Sequence, residues 1–297
     1  MAPASRAQRP TPGGAPRLAC AELRGGNHPV FEPVEMPGLR GIIYSHPCHG
    51  ARGGDVHYLS VCGSGLLARV CVADVAGHGE ALARVGSALH TRLRRGVDQP
   101  DERRVLRALD RQLSHDTEPV LTTAAVVSYY PPGRRLTVSY AGHPRGWLYR
   151  GGDRSWMRLD AEVGEVATPS GRLVDLPLAT GLSPSFSRAR IRVAPGDRVL
   201  LVTDGVLEAP APDGREFGPD GVARVLEAHD GPLDALAGAL LEALVGHAGR
   251  DDLTHDDVTF FVGEIVDGPP GPALWHVVRN RVLRRLGMSG GWGPGEG

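Results

Sequence analysis

The chain has 297 residues, with 33 basic and 34 acidic side chains and a formal net charge of −1. All of the basic residues are arginines. A balanced charge argues against binding that depends on a broad electrostatic field, so we expect no nucleic-acid partner. Hydrophobic residues make up 41% of the chain, as in an ordinary globular protein, and no apolar run is long enough to span a membrane. Four cysteines without a CxxC pair favour reduced thiols and a cytoplasmic location.

Three regions follow from the distribution of Gly and Pro. Residues 1–37 are rich in Pro, Gly, Ala and Arg, which predicts a mostly disordered leader. Residues 38–266 carry regular apolar patterns and are expected to fold as one domain. Residues 267–297 form a Gly/Pro-rich tail, in which Ala273 to Leu286 predicts a short basic amphipathic helix. Such a helix binds a membrane surface or a partner, or packs on its own domain; we favour packing or a solvated tail over membrane contact.

Within the domain, period-two and period-3.6 patterns alternate in groups. Strands are predicted over 41–46, 56–61, 66–72, 123–130, 136–141, 147–149, 188–193, 199–203 and 258–265. Helices are predicted over 80–95, 101–113, 221–228 and 233–245. Strands in hairpin order with helices in two sequential pairs predict antiparallel sheets covered by helices, an α+β fold, and argue against alternating βαβ units.

Four aspartates stand at the ends of predicted strands, beside glycine or another aspartate. They are Asp55 after Gly-Gly, Asp74 at the end of a strand, Asp204 within Thr-Asp-Gly, and Asp256 before Asp257. Any one of them is an ordinary turn or helix N-cap residue. Several carboxylates gathered at one partly desolvated sheet edge repel each other unless cations bind. Oxygen-only ligation favours Mg²⁺ or Mn²⁺ over zinc.

The ordered motifs around these aspartates resemble a known family. They are Gly53-Gly54-Asp55, Asp74-Val75-Ala76-Gly77-His78-Gly79, Ala141-Gly142-His143-Pro144, the stretch 195–209 (PGDRVLLVTDGVLEA) and Asp256-Asp257-Val258-Thr259. The set is similar to the metal-dependent serine/threonine protein phosphatases (PPM, or protein phosphatase 2C-type), and more narrowly to their bacterial SpoIIE/RsbU branch. The resemblance covers residues 38–266 and implies an αββα sandwich of two antiparallel sheets flanked by helix pairs.

The resemblance also implies a site with two Mn²⁺ or Mg²⁺ ions. Carried over by position, Asp74 would bridge the ions, and Asp55 with the Val75 backbone carbonyl would bind one of them. Asp204 and Asp256 would bind the other. Asp257 would lie outside the ligand set. The implied reaction is in-line attack of a metal-activated hydroxide on a phosphoserine or phosphothreonine, without a covalent phospho-enzyme.

The implied function is a phosphatase that acts on a phosphorylated regulator, such as an anti-sigma-factor antagonist in a partner-switching pathway. The alternative is a non-catalytic binding module that keeps the fold; retention of all four aspartates favours the enzyme. Three positions depart from the family pattern. Ala76 stands where the eukaryotic members have a histidine, a role that His78 does not inherit. Tyr58 replaces a second aspartate, and Ala179 replaces the glycine of Pro-Leu-Gly.

Overall fold

The chain folds into four layers, two antiparallel sheets packed face to face with helices on both outer faces. The computed structural model describes residues 23–61, 66–77, 80–95, 99, 101–159, 164–167, 173–249 and 253–268. This architecture confirms the predicted α+β sandwich. No helix in these ranges is long and apolar enough to cross a membrane.

One sheet contains seven of the described strands. They are β1 (Leu23–Gly26), β4 (Val56–Val61), β5 (Ala68–Val75), β6 (Thr122–Tyr130), β7 (Arg135–Ala141), β10 (Glu165–Ala167) and β11 (Arg188–Arg192). Their order across the sheet is β1-β4-β5-β6-β7-β11-β10. The neighbours β4, β5, β6 and β7 follow each other along the chain, as the predicted hairpin order requires.

The other sheet contains six of the described strands. They are β2 (Val30–Met36), β3 (Leu39–His46), β8 (Trp147–Arg150), β9 (Ser155–Arg158), β12 (Arg198–Val202) and β13 (Val258–Ile265). Their order is β2-β3-β13-β12-β8-β9. The strands β12 and β13 lie in the middle and are almost wholly buried, which agrees with their continuous apolar sequence.

Each sheet has its own helices. Helices α1 (Glu80–Arg95) and α2 (Glu102–Ser114) cover the seven-stranded sheet, and α4 (Gly218–Ala228) and α5 (Leu233–Ala248) cover the six-stranded sheet. A four-residue helix, α3 (Asp204–Leu207), follows β12 directly. The predicted bounds of α1 are the observed ones. The short helix α3 was not predicted, because four residues are too few to show a helical period.

The domain begins earlier than predicted. Residues 23–36, assigned to a disordered leader, contain β1 and β2; β1 pairs with β4, and β2 pairs with β3 along its whole length. That part of the prediction is wrong. Both are edge strands, and β2 contains Pro33, a residue that only an edge strand tolerates and that weakens a strand pattern in sequence. Residues 1–22 and the predicted helix at 273–286 lie outside the described residues.

The antiparallel pairing brings particular strand ends together. Because β4 and β5 run in opposite directions, the start of β4 and the end of β5 meet at one edge of their sheet. The end of β12 and the start of β13 meet in the same way in the other sheet. Hydrogen bonds from Thr203 to Asp55 and from Gly54 to Asp257 show that these two edges face each other.

Candidate functional site

Asp55 and Asp74 face each other across two neighbouring strands. Val56 and Ala73 form the last regular pair between β4 and β5. Asp55 directly precedes Val56, and Asp74 directly follows Ala73. Val56 and Ala73 pack under the helices. Alternation along a strand therefore directs both aspartates to the opposite side, between the two sheets. Like charges at such positions destabilise a sheet unless something compensates them.

The Asp55 carboxylate is held at one oxygen and bare at the other. Asp55 is only 3% exposed to solvent. Oδ2 accepts a hydrogen bond from the Thr203 hydroxyl at 2.9 Å, whereas Oδ1 is buried without a hydrogen-bond partner. Burial and the charge of Asp74 raise the pKa of Asp55 well above its usual range. An anionic oxygen in this position is costly without a cation beside it.

Asp74 lies at the centre of the acidic groups. Burial raises its pKa to about 8, and the charges of Asp204 and Asp256 act in the same direction. These interactions join carboxylates of the seven-stranded sheet to carboxylates of the six-stranded sheet. The structure thus brings the predicted aspartates into one electrostatic cluster at the edge of the sandwich.

Asp204 and Asp256 come from the six-stranded sheet. Asp204 opens α3 immediately after β12, and its Oδ1 accepts a hydrogen bond from the Gly205 N–H at 3.0 Å. The Asp256 Oδ1 accepts one from the Asp257 N–H at 2.7 Å. Burial raises the pKa of both aspartates. A side chain at Gly205 would overlap the Asp257 backbone oxygen, so the close approach of these two segments requires glycine.

Asp257 clamps the loop before β4 to the start of β13. Its carboxylate accepts hydrogen bonds from the backbone N–H groups of Cys48 at 2.7 Å, Gly54 at 2.5 Å and Asp55 at 3.2 Å. A Cβ atom at Gly53 would overlap the same carboxylate. Because Asp257 is engaged by three donors, its role in the structure is to hold the Asp55 loop across the gap between the sheets.

Cys48 is a neighbour of the site that the sequence did not reveal. Its Sγ and one carboxylate oxygen each of Asp256 and Asp257 lie within 4.8 Å of one another. Burial and the hydrogen bond to Asp257 raise the pKa of the Cys48 thiol to about 12, so the thiol stays protonated at neutral pH. No motif surrounds Cys48 in the sequence, and only the folded loop shows its position.

Val75 brings a backbone oxygen to the same edge. A Cβ atom built on Gly54 would lie 2.9 Å from the Val75 carbonyl oxygen, which shows how closely the two segments pack. The next residue, Ala76, donates its N–H to the Leu121 carbonyl at 2.9 Å and is exposed. Tyr58 points the other way, into the core under α1 and α2, and takes no part in the cluster. His78 lies outside the described residues.

Behind Asp74 lies a polar pair that the sequence reasoning missed. Thr123 is the cross-strand partner of Asp74 in the β5–β6 ladder. The Thr123 hydroxyl and His143 Nδ1 are 2.7 Å apart, while His143 Nε2 is buried without a hydrogen-bond partner. Burial lowers the pKa of His143 to about 3, so its ring is neutral. His143 belongs to one of the family motifs, Ala141 to Pro144, but the sequence alone does not place this histidine beside Thr123.

The donor set fits hard divalent cations. Among the described residues, the four clustered aspartates form no salt bridge with arginine. Their free oxygens, together with the bare Asp55 Oδ1, are the ligand type that Mg²⁺ and Mn²⁺ prefer. Bound cations would also offset the repulsion that, after burial, raises the pKa of Asp55, Asp74 and Asp256.

Comparison with known proteins identifies the family of the chain. The family model for stage II sporulation protein E (SpoIIE) matches residues 67–265. The chain belongs to the SpoIIE family. This confirms the SpoIIE/RsbU-like resemblance of the sequence motifs, and the matched SpoIIE region spans both sheets and contains Asp74, Asp204 and Asp256. A search of curated proteins found no match.

Solved structures of phosphatase domains share the fold of this SpoIIE family member. The RsbU and RsbW domains of Rv1364c from Mycobacterium tuberculosis are 25% identical, with a TM-score of 0.63 over 88% of this chain and 71% of that chain. SpoIIE from Bacillus subtilis is 16% identical, with a TM-score of 0.61 over 83% of this chain and 64% of that chain. The catalytic domain of the serine/threonine phosphatase PstP, solved with two manganese ions, is 24% identical, with a TM-score of 0.54 over 77% of this chain and 99% of that chain. The last two likenesses concern the fold.

Proposed function

We propose that the chain is a divalent-metal-dependent phosphatase for phosphoserine or phosphothreonine in a protein. The observation that carries the proposal is the meeting of Asp55, Asp74, Asp204 and Asp256 at one edge of the sandwich, with Asp55 Oδ1 buried and unpartnered. Membership of the SpoIIE family supports it. So does the PstP domain, which has the same fold and was solved with manganese.

The proposed ligands come from both sheets. Asp74 would bridge two Mn²⁺ or Mg²⁺ ions; Asp55 and the Val75 carbonyl would bind one, and Asp204 and Asp256 the other. Cations of this kind activate water for attack on phosphorus and neutralise charge on the phosphoryl oxygens. Thr203 orients Asp55, and Asp257 keeps the Asp55 loop closed on β13.

The proposed substrate is a phosphorylated regulator, such as an anti-sigma-factor antagonist. This part rests on the SpoIIE/RsbU-like family and on the likeness to the RsbU and RsbW domains of the mycobacterial protein. A cytoplasmic site of action is proposed with it, in keeping with the free thiols of Cys48 and Cys71.

The test is hydrolysis of p-nitrophenyl phosphate and of a phosphoserine protein by the full chain, with Mn²⁺ and with a chelator. We expect activity only with the metal. Asp204→Ala should abolish it, whereas Asp234→Ala, which removes an exposed aspartate of α5, should leave it unchanged. Activity with the chelator, or activity that survives Asp204→Ala, would refute the proposal. Mn²⁺ binding without hydrolysis of either substrate would favour a non-catalytic module.

The substrate itself can be sought with the same variant. If Asp204→Ala binds the phosphoprotein but does not turn it over, it will retain the partner in a pull-down from phosphatase-inhibited lysate. Mass spectrometry should then find a phosphoserine or phosphothreonine on the captured protein that purified wild-type enzyme removes.

A further inference from the structure

The position of Asp55 depends on the backbone of the loop that precedes it. Gly53 and Gly54 have no side chains that could hold this loop, and glycine adopts more backbone conformations than any other residue. Asp257 accepts hydrogen bonds from the N–H groups of Gly54 and Asp55, which ties the loop to the start of β13. The polar backbone groups of Gly53 have a different partner.

Asn27 binds both polar backbone groups of Gly53. It lies in the turn between β1 and β2 and is only 1% exposed. The Gly53 N–H donates to the Asn27 backbone carbonyl at 2.9 Å, and Asn27 Nδ2 donates to the Gly53 carbonyl at 2.8 Å. The loop is thus fixed by Asn27 at Gly53 and by Asp257 at the two residues that follow.

The same side chain connects the loop to helix α1. Asn27 Nδ2 also donates to the Ala83 carbonyl at 2.8 Å, so one amide hydrogen serves the loop and the other serves the helix. The Ser87 hydroxyl donates to Asn27 Oδ1 at 3.3 Å. An apolar side chain at position 27 would leave the buried Gly53 carbonyl without this donor, which is costly.

Gly86 of α1 permits the close approach of helix and loop. A Cβ atom at Gly86 would lie 2.9 Å from Asn27 Nδ2 and 2.9 Å from the Gly53 carbonyl oxygen, closer than such atoms approach in proteins. Glycine inside a helix is less favourable than alanine. Its presence here is explained by the contact of α1 with Asn27 and the loop.

We propose that Asn27 is a positioning residue for Asp55: its side chain fixes Gly53 against α1 and thereby fixes the carboxylate whose Oδ1 is buried without a partner. The inference rests on the proposed function, which assigns this carboxylate to cation binding. Asn27 precedes residues 67–265, the stretch that the SpoIIE family model matches, so the positioning comes from outside that stretch. Groups that orient metal ligands commonly contribute about 10- to 100-fold to metal affinity.

The first test compares Asn27→Leu with Ser87→Ala in the full chain. Asn27→Leu keeps the size of the side chain but removes both donors, and by isothermal titration calorimetry it should raise the Kd for Mn²⁺ by about 10- to 100-fold. Ser87→Ala removes one hydroxyl and leaves both hydrogen bonds from Asn27 Nδ2, so its Kd should stay close to that of wild type.

A remote control is Thr137→Val. The Thr137 hydroxyl donates to Glu102 Oε1 at 2.8 Å. Thr137 pairs with Ser128, which lies well along β6 from Thr123, the partner of Asp74. This variant should lower the melting temperature without changing the Mn²⁺ affinity.

Hydrogen exchange of the metal-free protein reads the loop without any cation. In Asn27→Leu the amides of Gly53, Gly54 and Asp55 should exchange about 10-fold faster than in wild type, because the loop opens locally. In Thr137→Val they should exchange at the wild-type rate. Unchanged exchange in Asn27→Leu would overturn the proposal.

Gly86→Ala tests the same contact from the helix. The matched control is Gly246→Ala of α5, where a Cβ atom would have nothing within 4 Å and alanine should raise the melting temperature. Gly86→Ala should instead weaken Mn²⁺ binding, because the added methyl group displaces Asn27 or Gly53. Wild-type affinity in Gly86→Ala would contradict the proposal, and this variant decides the question if Asn27→Leu does not fold.

The outcomes separate this inference from the proposed function. If wild type binds Mn²⁺ no better than Asp204→Ala, the proposed function fails, and hydrogen exchange alone decides whether Asn27 holds the loop. If wild type binds Mn²⁺, Asp204→Ala does not, and Asn27→Leu binds as tightly as wild type, only the positioning role fails. A loss of affinity in Thr137→Val equal to that in Asn27→Leu would also refute it, because the effect would then be general.

Discussion

The acidic side chains at the two ends of β12 differ in whether arginine pairs with them. At its start, Arg198 pairs through Nε with Glu264 Oε2 at 3.1 Å, and Arg40 pairs with Glu264 Oε1 at 2.7 Å. At its other end Asp204 joins three further aspartates, and the described residues provide no arginine partner for any of them. One end carries its own counter-charges, and under the proposed function cations from solution would supply those of the other. The difference would then separate an acid that stabilises the fold from acids that the fold holds ready for a ligand.

The largest expected effect comes from neutralising the central acid. Asp74→Asn should lower the phosphatase kcat by about 10³-fold or more, because several kcal/mol of transition-state stabilisation depend on the cations. In the metal-free protein the same change should raise the melting temperature, since an Asp74 pKa raised to about 8 means that this carboxylate must take up a proton when the chain folds at neutral pH, a cost that asparagine does not carry. Assays and calorimetry with and without Mn²⁺ check both halves. A variant that is inactive but less stable without metal would contradict the contrast between the two ends.

At the opposite end of β12, removing the acid Glu264 should lower the stability of the protein and leave its activity unchanged. Glu264→Gln leaves Arg198, a largely buried side chain, without its counter-charge and should lower the free energy of unfolding by about 2 kcal/mol. Urea denaturation of the metal-free protein measures this, and kcat should be unchanged. Asp213→Asn is the control, because Asp213 pairs with Arg215 in solvent and its loss should have no measurable effect. Equal effects of the two variants would mean that burial of the pair is irrelevant.

The acidic end should also make the effect of metal depend on pH. The folded-state pKa of Asp74 is raised from 3.8 to about 8, chiefly by burial and then by Asp204. At pH values between these two pKa values, the metal-free folded protein therefore holds more protons than the unfolded chain. Its stability falls as the pH rises through this range. Mn²⁺ displaces that proton, so the increase in melting temperature on adding Mn²⁺ should be several degrees larger at about pH 8 than at about pH 6. A shift independent of pH would show that Asp74 is already ionised without metal.

The smallest effect concerns the backbone at Ala179, in the segment that contacts α2. Ala179 has φ of 63°, a left-handed conformation that favours glycine, and its N–H donates to Asp110 of α2 at 3.0 Å. Ala179→Gly should raise the free energy of unfolding by about 1 kcal/mol. Ala194→Gly is the control, because Ala194 has no positive φ and should lose stability instead. Thermal denaturation of both variants decides the point, and a loss of stability at position 179 would rule out the backbone argument.

The central strands and helices could be predicted from the sequence because each has a clear local pattern of apolar residues. The strands β12 and β13 are continuous apolar runs, and α1 shows buried Leu82, Leu89 and Leu93 at helical spacing. The elements that it missed depend on their neighbours. The strand β2 carries Glu32, Pro33 and Glu35 and is a strand because β3 offers it an edge. No local pattern encodes that pairing.

The site was predicted as a set of strand ends but not as a structure. Motif order identified the aspartates, and the antiparallel pairing that the pattern implied places them at one edge. The supporting contacts could not be predicted, because each joins residues far apart in the chain. Thr203 reaches Asp55 across 148 positions and Asp257 reaches Gly54 across 203. Cys48 and the His143–Thr123 pair belong to the same class of long-range contact.

The division of the four aspartates between the two sheets has a consequence for how the protein matures. The chain crosses from one sheet to the other several times, and neither sheet alone contains more than two of the four aspartates. A partly folded chain with one sheet formed would have little affinity for the cations. Metal binding would thus require that the two sheets have docked in register. Under the proposed function, an incompletely folded molecule would then have no hydrolytic activity.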